Sequence, residues 1–366
     1  MSAIQESERT AIQEELVRFL RAEAGEDTLR RGMQSDLGYD RAVWQKMAEM
    51  GLLGIAISED FGGIGGSAID TAMVAEALGR SLLPLPYIET CVIAPALLEA
   101  SDMSDESRKI LTRIAQGTAT IAIGGNADIV PFRDPDCRFA IKADGTMSGE
   151  VSLVMHGASA DFLLLALYSG NQTRCLLISS DQDYTIENQT ANDPALRPAK
   201  VSLANVPFIE LTGWRNDDLE QARWQGIVAL SAQQTGAARA IFEVTVDYLQ
   251  TRYQFGRPIG SFQALKHIAA DLFLELESAT SASQAAAKAL ASKAPQTAQS
   301  VALAGFLCND AFRDVSAQAI QLHGGIAYTQ EHVAHLYWRR ARATLSMFGD
   351  SDTHREAYLS AWEAAA

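Results

Sequence analysis

The spacing of apolar residues divides the chain into three consecutive parts. Up to about residue 118, apolar side chains such as Ile12, Leu16 and Leu20 recur at helical spacing. From there to about Leu211 the apolar runs shorten to strand length. From Trp224 onward, helical spacing returns in a sequence rich in alanine, a strong helix former. The pattern predicts a small β domain between two helical domains.

Turn residues in the middle part predict short antiparallel hairpins. Asp144-Gly145, Gly170-Asn171 and the segment from Asp181 to Asp183 separate its apolar runs. The predicted fold class is therefore α+β. We place a helical domain at residues 1–118, a sheet domain at residues 119–212 and a helical domain at residues 213–366.

The C-terminal part predicts long helices with one buried face each. Helical spacing places helices at 227–249 and 265–289, a third that Gly324-Gly325 ends, a fourth near 331–344 and a terminal helix. In the second helix, five apolar residues follow the i, i+3, i+4, i+7, i+11 spacing of a buried face. They are Leu265, Ile268, Ala269, Leu272 and Leu276.

Composition narrows the functional classes. The chain has 366 residues and a net charge of -15, with no run of Lys and Arg, which argues against nucleic acid and against an anionic membrane surface as partners. The polar N-terminus lacks an apolar signal segment, and no apolar run reaches membrane-spanning length. The four cysteines are scattered without metal-ligand spacing. We expect a cytoplasmic protein with free thiols and no bound metal.

The corner from Arg252 to Gln263, which joins the first two predicted C-terminal helices, is polar and contains glycine. It carries a family resemblance. Arg252-x-x-Phe255-Gly256, Ile259 and Phe262-Gln263 resemble the C-terminal signature of acyl-CoA dehydrogenases. The segments GLLGIAISEDFGG (51–63) and VSLANVPFIELTGW (201–214) resemble that family at matching order and distance, so the resemblance covers essentially the whole chain. It implies an N-terminal helical domain, a small antiparallel β domain and a C-terminal four-helix bundle.

The resemblance implies that the corner contacts a cofactor. In the family, an arginine, an aromatic ring and a glutamine of this signature reach across a subunit interface to a neighbour's FAD. A guanidinium suits a pyrophosphate because it is always charged and donates in a fork. The residues that this assigns to cofactor binding are Arg252, Tyr253, Gln254, Phe255, Phe262 and Gln263.

The resemblance implies that a second element also contacts the cofactor. The run from Gln321 to Tyr328 resembles the family's Q-x-x-GG-x-G-Y motif, with Ala327 in place of the third glycine. Glycines let backbone amides approach a ligand without a Cβ in the way. The resemblance adds Gln321, Gly324 and Gly325 to the residues expected to contact FAD.

The family's catalytic glutamate is absent. Alignment carries its usual position onto Phe348, and the alternative position used by some members falls near Gly226. The family's flavin loop, T-E-P-x-x-G-S-D, has no counterpart at 124–128. Its W-I-T-N strand aligns with 153–156, where Leu153 replaces the tryptophan and Met155 replaces a hydroxyl donor.

These losses fall on contacts that a subunit makes to its own flavin, whereas contacts to a neighbour's flavin are kept. The first hypothesis is a base-less subunit of a heterotetrameric, FAD-dependent acyl-CoA dehydrogenase. A related subunit would be its partner, an acyl-CoA its substrate and electron-transfer flavoprotein its electron acceptor. Several such pairs in the family act on steroid side-chain thioesters.

Two alternatives remain open. The chain is a self-sufficient homo-oligomeric flavoenzyme with an atypical base, for which Asp350 is the leading candidate, or a flavin-dependent oxidase or monooxygenase of the same fold. Otherwise it is a non-enzymatic scaffold homologue.

Overall fold

The computed structural model describes residues 4–169 and 172–365, and its first part is helical. The predicted helical character of this part is confirmed. A capping box at Ser67 and Asp70 begins the fourth helix, because it pairs backbone donors that would otherwise lack acceptors. The elements are α1 (Glu6–Glu23), α2 (Glu26–Gln34), α3 (Arg41–Glu49), α4 (Ala68–Ser81), a π-helix (Ile88–Ile93), α5 (Ala94–Ala100) and α6 (Asp105–Ala115).

The middle part forms two four-stranded sheets. Their strand orders are β1-β4-β5-β8 and β2-β3-β7-β6. The strands are β1 (Ile121–Gly125), β2 (Arg138–Ile141), β3 (Thr146–Met155), β4 (Phe162–Ser169), β5 (Gln172–Ser179), β6 (Thr185–Asn188), β7 (Pro198–Pro207) and β8 (Ile209–Leu211).

The strand pairs of these two sheets are antiparallel, as predicted, with one difference. β1 and β4 run parallel, with Ile121 opposite Phe162. Parallel neighbours need a crossover, and here β2 and β3 supply it by crossing to the other sheet. The predicted Gly170-Asn171 turn lies outside the described residues.

The C-terminal part is a helical bundle in which α9 packs against α7, α8 and α11. In the predicted buried face of α8, Leu272 and Leu276 are buried in the bundle core, and Leu265, Ile268 and Ala269 are partly buried against it. α7 begins eleven residues before the predicted start at 227, because its polar first turns hide the apolar spacing. The helices are α7 (Asn216–Thr251), α8 (Gln263–Ala291), α9 (Thr297–His323), α10 (Ala334–Thr344) and α11 (Ser351–Ala365).

The N-terminal helices join the bundle where α4 crosses α7. A Cβ at Gly79 would lie 1.9 Å from the carbonyl oxygen of Gln233, and a Cβ at Gly236 would lie 2.0 Å from that of Glu76. Only glycine allows the two backbones to approach this closely. Among the described residues, no helix combines the length and apolar content that crossing a bilayer requires.

A buried ion pair fixes the sheets against the helices. Arg340 of α10 pairs with Asp193 in the connection between β6 and β7, and both side chains are almost fully buried. Arg340 also donates to the carbonyl of Leu82, 3.4 Å away. The pair therefore joins all three parts of the chain. The predicted boundaries at 118 and 212 fall between these parts and remain proposals for units that fold separately.

We expect Asp193→Ala to destabilise the protein by about 3–5 kcal/mol, because it leaves the Arg340 guanidinium buried without its partner. Urea denaturation followed by circular dichroism measures this as a lowered midpoint. Glu26→Ala is the control, because Glu26 pairs with Arg30 on the surface of α2, where such pairs contribute about 0–1 kcal/mol. Equal shifts in the two variants would contradict the structural role of the buried pair.

Candidate functional site

The corner between α7 and α8 is a tight hairpin. Gln254 pairs with Arg257 across a two-residue turn. Both turn residues have positive φ, 52° at Phe255 and 76° at Gly256, as a turn of type I′ requires. The Ile259 amide donates to the Arg252 carbonyl at 2.8 Å and closes the hairpin against the end of α7.

The hairpin presents its predicted cofactor residues to the outside. Phe255 is 90% exposed and Tyr253 is 61% exposed, and Arg252, Gln254 and Gln263 are exposed too. Phe262 is partly covered, because the Arg257 guanidinium lies 4.1 Å from the centre of its ring. Exposed aromatic and arginine side chains together are typical of binding interfaces.

The glycine loop has an open surface. α9 ends at His323, and Gly324 follows with a φ of 66°. A Cβ built at Gly324 or Gly325 would meet no heavy atom within 4 Å. Beside the loop, a cleft of about 330 Å³ is lined by Gln321, Tyr328 and Trp338, among others. The backbone of this loop is therefore accessible to a planar or phosphorylated ligand.

A ring stack joins the two predicted cofactor elements. The ring of Tyr248, one turn before Arg252 at the end of α7, stacks on the His323 ring with centroids 4.5 Å apart. His323 directly precedes Gly324, and its Nδ1 lies 2.8 Å from the Ala319 carbonyl oxygen. Burial lowers the pKa of His323, which favours the neutral form of the ring. The corner and the glycine loop consequently lie at the same end of the bundle.

The two positions expected for a catalytic base are in contact with each other. Phe348 is 4% exposed, and its ring lies over α7 at Gly226. A Cβ built on Gly226 would lie 2.7 Å from Phe348 Cζ and 3.1 Å from Ile93 Cδ1. The phenyl ring thus fills the space at the Phe348 position. It fits there because residue 226 is a glycine and has no side chain.

Hydrogen bonds hold Phe348 against the loop aligned with the family's flavin loop. Its amide donates to the Pro131 carbonyl at 2.8 Å. Arg223 donates from Nη2 to the Phe348 carbonyl at 2.9 Å and from Nε to the Asp128 carbonyl at 3.0 Å. Burial lowers the pKa of Arg223, and the charges of Asp128 and Glu220 oppose that shift. Arg223 lies one helical turn before Gly226, and no motif in the sequence singled it out.

The strand aligned with W-I-T-N adjoins the flavin-loop segment. A Cβ at Gly124 would lie 2.7 Å from the Val154 side chain. Leu153 is partly exposed, whereas Met155 is buried. The structure therefore brings together the segments predicted to face a flavin, and it gives them apolar side chains at these positions.

Asp350 caps a helix. Its Oδ1 accepts hydrogen bonds from the Thr353 amide at 2.9 Å and from the Thr353 hydroxyl at 2.7 Å. These bonds lower the pKa of the exposed Asp350 carboxyl. A carboxylate engaged in this way is a poor general base at neutral pH, so the geometry does not favour the Asp350 alternative.

The π-helix contains a buried carboxyl that the sequence analysis missed. Burial raises the pKa of Glu89 to about 7, and Ile93 of the same helix packs at Gly226. Short π-helices occur often at functional sites. The signal in the sequence was a single acid within an apolar run. Among the described residues, no group of His, Cys, Asp or Glu could hold a metal ion.

Comparisons with known proteins agree with the resemblance. The family model for the acyl-CoA dehydrogenase N-terminal domain matches residues 6–118, and the family model for the C-terminal domain matches residues 220–361. The acyl-CoA dehydrogenase IpdE2 of Mycobacterium tuberculosis is 34% identical over 342 residues, which cover 93% of this chain and 92% of IpdE2.

Two solved structures share the fold. A variant of the Tcur3481-Tcur3483 steroid ACAD superposes with a TM-score of 0.87 at 24% identity, covering 98% of each chain. The ChsE4-ChsE5 complex from Mycobacterium tuberculosis superposes with a TM-score of 0.85 at 21% identity, covering 97% of this chain and 96% of the matched chain.

We expect Glu89→Gln to change the pH dependence of stability. The folded pKa of about 7 exceeds the ordinary value of 4.5, so the buried neutral acid contributes stability below pH 4.5 that is lost as pH rises to about 7. Between pH 5.5 and pH 8, the wild type should lose about 2 kcal/mol relative to the variant, as measured by urea denaturation.

Glu14→Gln serves as the control for that measurement, because Glu14 is exposed on α1. A pH dependence for Glu89→Gln that matches wild type would show that the Glu89 carboxyl is not buried in its neutral form.

Proposed function

This chain belongs to the acyl-CoA dehydrogenase family, and we propose that it is the base-less subunit of a hetero-oligomeric, FAD-dependent member. The reaction would be α,β-dehydrogenation of an acyl-CoA thioester. A related subunit would supply the flavin pocket and the general base. This chain would complete that site with its Arg252–Gln263 corner and its glycine loop.

The contact between Phe348 and Gly226 carries the proposal. Dehydrogenation requires a positioned base to remove the α-proton. Both positions at which the family places that base meet in this structure, and they hold a phenyl ring and a hydrogen atom. Neither group accepts a proton. Asp350, the nearest acid in sequence, is engaged as a helix cap.

The two candidate FAD surfaces differ in how well they fit the cofactor. In the chain's own cleft, Phe348 is tied to Pro131 and Arg223 joins the facing loops. At the end of the bundle, Arg252 is exposed and Gly324 and Gly325 face open space. An arginine fork and accessible backbone amides suit a pyrophosphate. The residues therefore fit the FAD of an adjoining subunit and not one of their own.

Relatives support a hetero-oligomer and suggest a substrate class. One structure of the same fold is named as the ChsE4-ChsE5 complex and another as a steroid ACAD. On that basis we propose a heterotetramer whose substrate is a bulky, steroid-derived thioester and whose electron acceptor is electron-transfer flavoprotein. Four buried free thiols fit a reducing compartment such as the cytoplasm.

Co-purification tests the proposal. The chain is co-expressed with acyl-CoA dehydrogenase subunits that retain the glutamate, and flavin is counted per subunit from its absorbance. We expect a complex with one FAD for each pair of unlike subunits and a colourless, inactive chain when it is purified alone. Stoichiometric FAD and acyl-CoA oxidation in the chain alone would refute the base-less role.

Within that complex, we expect Arg252→Ala to weaken FAD binding by about 10- to 100-fold, because hydrogen bonds to charged groups contribute about 1.5–3 kcal/mol. Dialysis followed by flavin counting measures the loss, and size-exclusion chromatography verifies that the complex persists. Arg215→Ala at the opposite end of α7 is the matched control, since Arg215 is also exposed. Equal FAD retention in the two variants would argue against a pyrophosphate contact.

A further inference from the structure

Arg223 connects two loops that face each other across the chain's own cleft. One loop contributes the Asp128 carbonyl, 3.0 Å from Nε, and the other contributes the Phe348 carbonyl, 2.9 Å from Nη2. The same guanidinium therefore binds one acceptor on each side of the gap. A single rigid fork suits this task, because its donors point in fixed, divergent directions.

A cleft of about 520 Å³ leads to this arginine from the surface. Its walls include Asp128, Tyr168, Leu219, Glu220, Arg223 and Thr353. Arg223 lies one helical turn from Gly226, the point on α7 that the Phe348 ring covers. Arg223 lines this cleft, whereas Phe348 does not line it.

A backbone hydrogen bond also joins the two loops. The Phe348 amide donates to the Pro131 carbonyl at 2.8 Å, three residues beyond Asp128. Two donors on the Arg223 side chain and one backbone amide therefore join the same pair of loops. Opening the cleft requires the loss of these bonds together.

We propose that Arg223 is a lock: it holds the Asp128 and Phe348 loops together, so that the cleft between them does not open to accept acyl-CoA. This deepens the proposed function and rests on it in one respect: the subunit is then excluded from substrate binding as well as from proton abstraction. Substrate would bind only in the partner's groove. Arg223 is a positioning residue, since it acts by holding Asp128 and Phe348 together.

The proposal is tested on the full chain purified without a partner. Butyryl-CoA is titrated calorimetrically into the wild type and into Arg223→Ala. We expect no binding to the wild type at millimolar ligand and at least tenfold tighter binding to the variant. Arg133→Ala is the matched control, because Arg133 pairs with the same Asp128 but does not reach Phe348, and it should behave as wild type.

A second measurement follows the loop that Arg223 holds through the Phe348 carbonyl. Hydrogen exchange of the peptide that contains Phe348 should accelerate in Arg223→Ala and remain slow in Arg133→Ala. Arg223→Met, which keeps the length of the side chain but cannot donate, replaces Arg223→Ala if that variant does not fold. Stoichiometric butyryl-CoA binding to the wild type, or a folded Arg223 variant that still excludes it, would overturn the lock.

Because no partner is present in this experiment, its outcome is independent of flavin counting in the complex. A wild-type chain that binds butyryl-CoA but acquires flavin only with a partner would refute the lock and leave the base-less role intact.

Discussion

The structure of the site depends on the packing of the Phe348 ring against α7 at Gly226. A glycine inside a helix costs about 1 kcal/mol relative to alanine, and here any larger side chain would meet the ring. Burial of a phenylalanine side chain contributes about 1.5–3 kcal/mol, which more than offsets that cost. The two residues are therefore compatible only as a pair. Together they place a phenyl ring and a hydrogen atom at the two positions aligned with the family's base.

The hydrogen-bonded loops around Phe348 contrast with the exposed residues at the end of the bundle. Around Phe348, one backbone amide and the Arg223 guanidinium bind carbonyl groups and hold the two loops together. At the end of α7, Phe255 is almost fully exposed on a turn that holds its own backbone at positive φ. In the isolated chain, the Phe255 ring makes an edge-on contact with the Phe262 ring, with centroids 6.2 Å apart, and stays 90% exposed. In the proposed complex, a neighbouring subunit would cover it.

The spacing of apolar and turn residues along the chain predicted the features that depend on residues close together in sequence. The buried face of α8, the glycine end of α9 and the strand-rich middle part were confirmed, because each depends on residues a few positions apart. The parallel pairing of β1 with β4 was missed, since a crossover through another sheet leaves no local signal. The bond from Arg223 to Phe348 spans 125 residues, and sequence spacing could not reveal it. The resemblance directed attention to Phe348 and Gly226, but only the fold showed that they touch.

In the proposed complex, a cofactor that lies between subunits would explain how one polypeptide can keep half of a site. The residues that would face a subunit's own flavin and those that would face its neighbour's lie on different surfaces, here the Phe348 cleft and the Arg252 corner. The Tyr248–His323 stack joins the end of α7 to the glycine loop at the second surface. Changes at Phe348 and Gly226 would therefore leave the corner intact. In the proposed complex, the corner would contribute charge and the glycine loop backbone amides, and neither would transfer a proton, so their contribution to FAD binding would not require a base in the same chain.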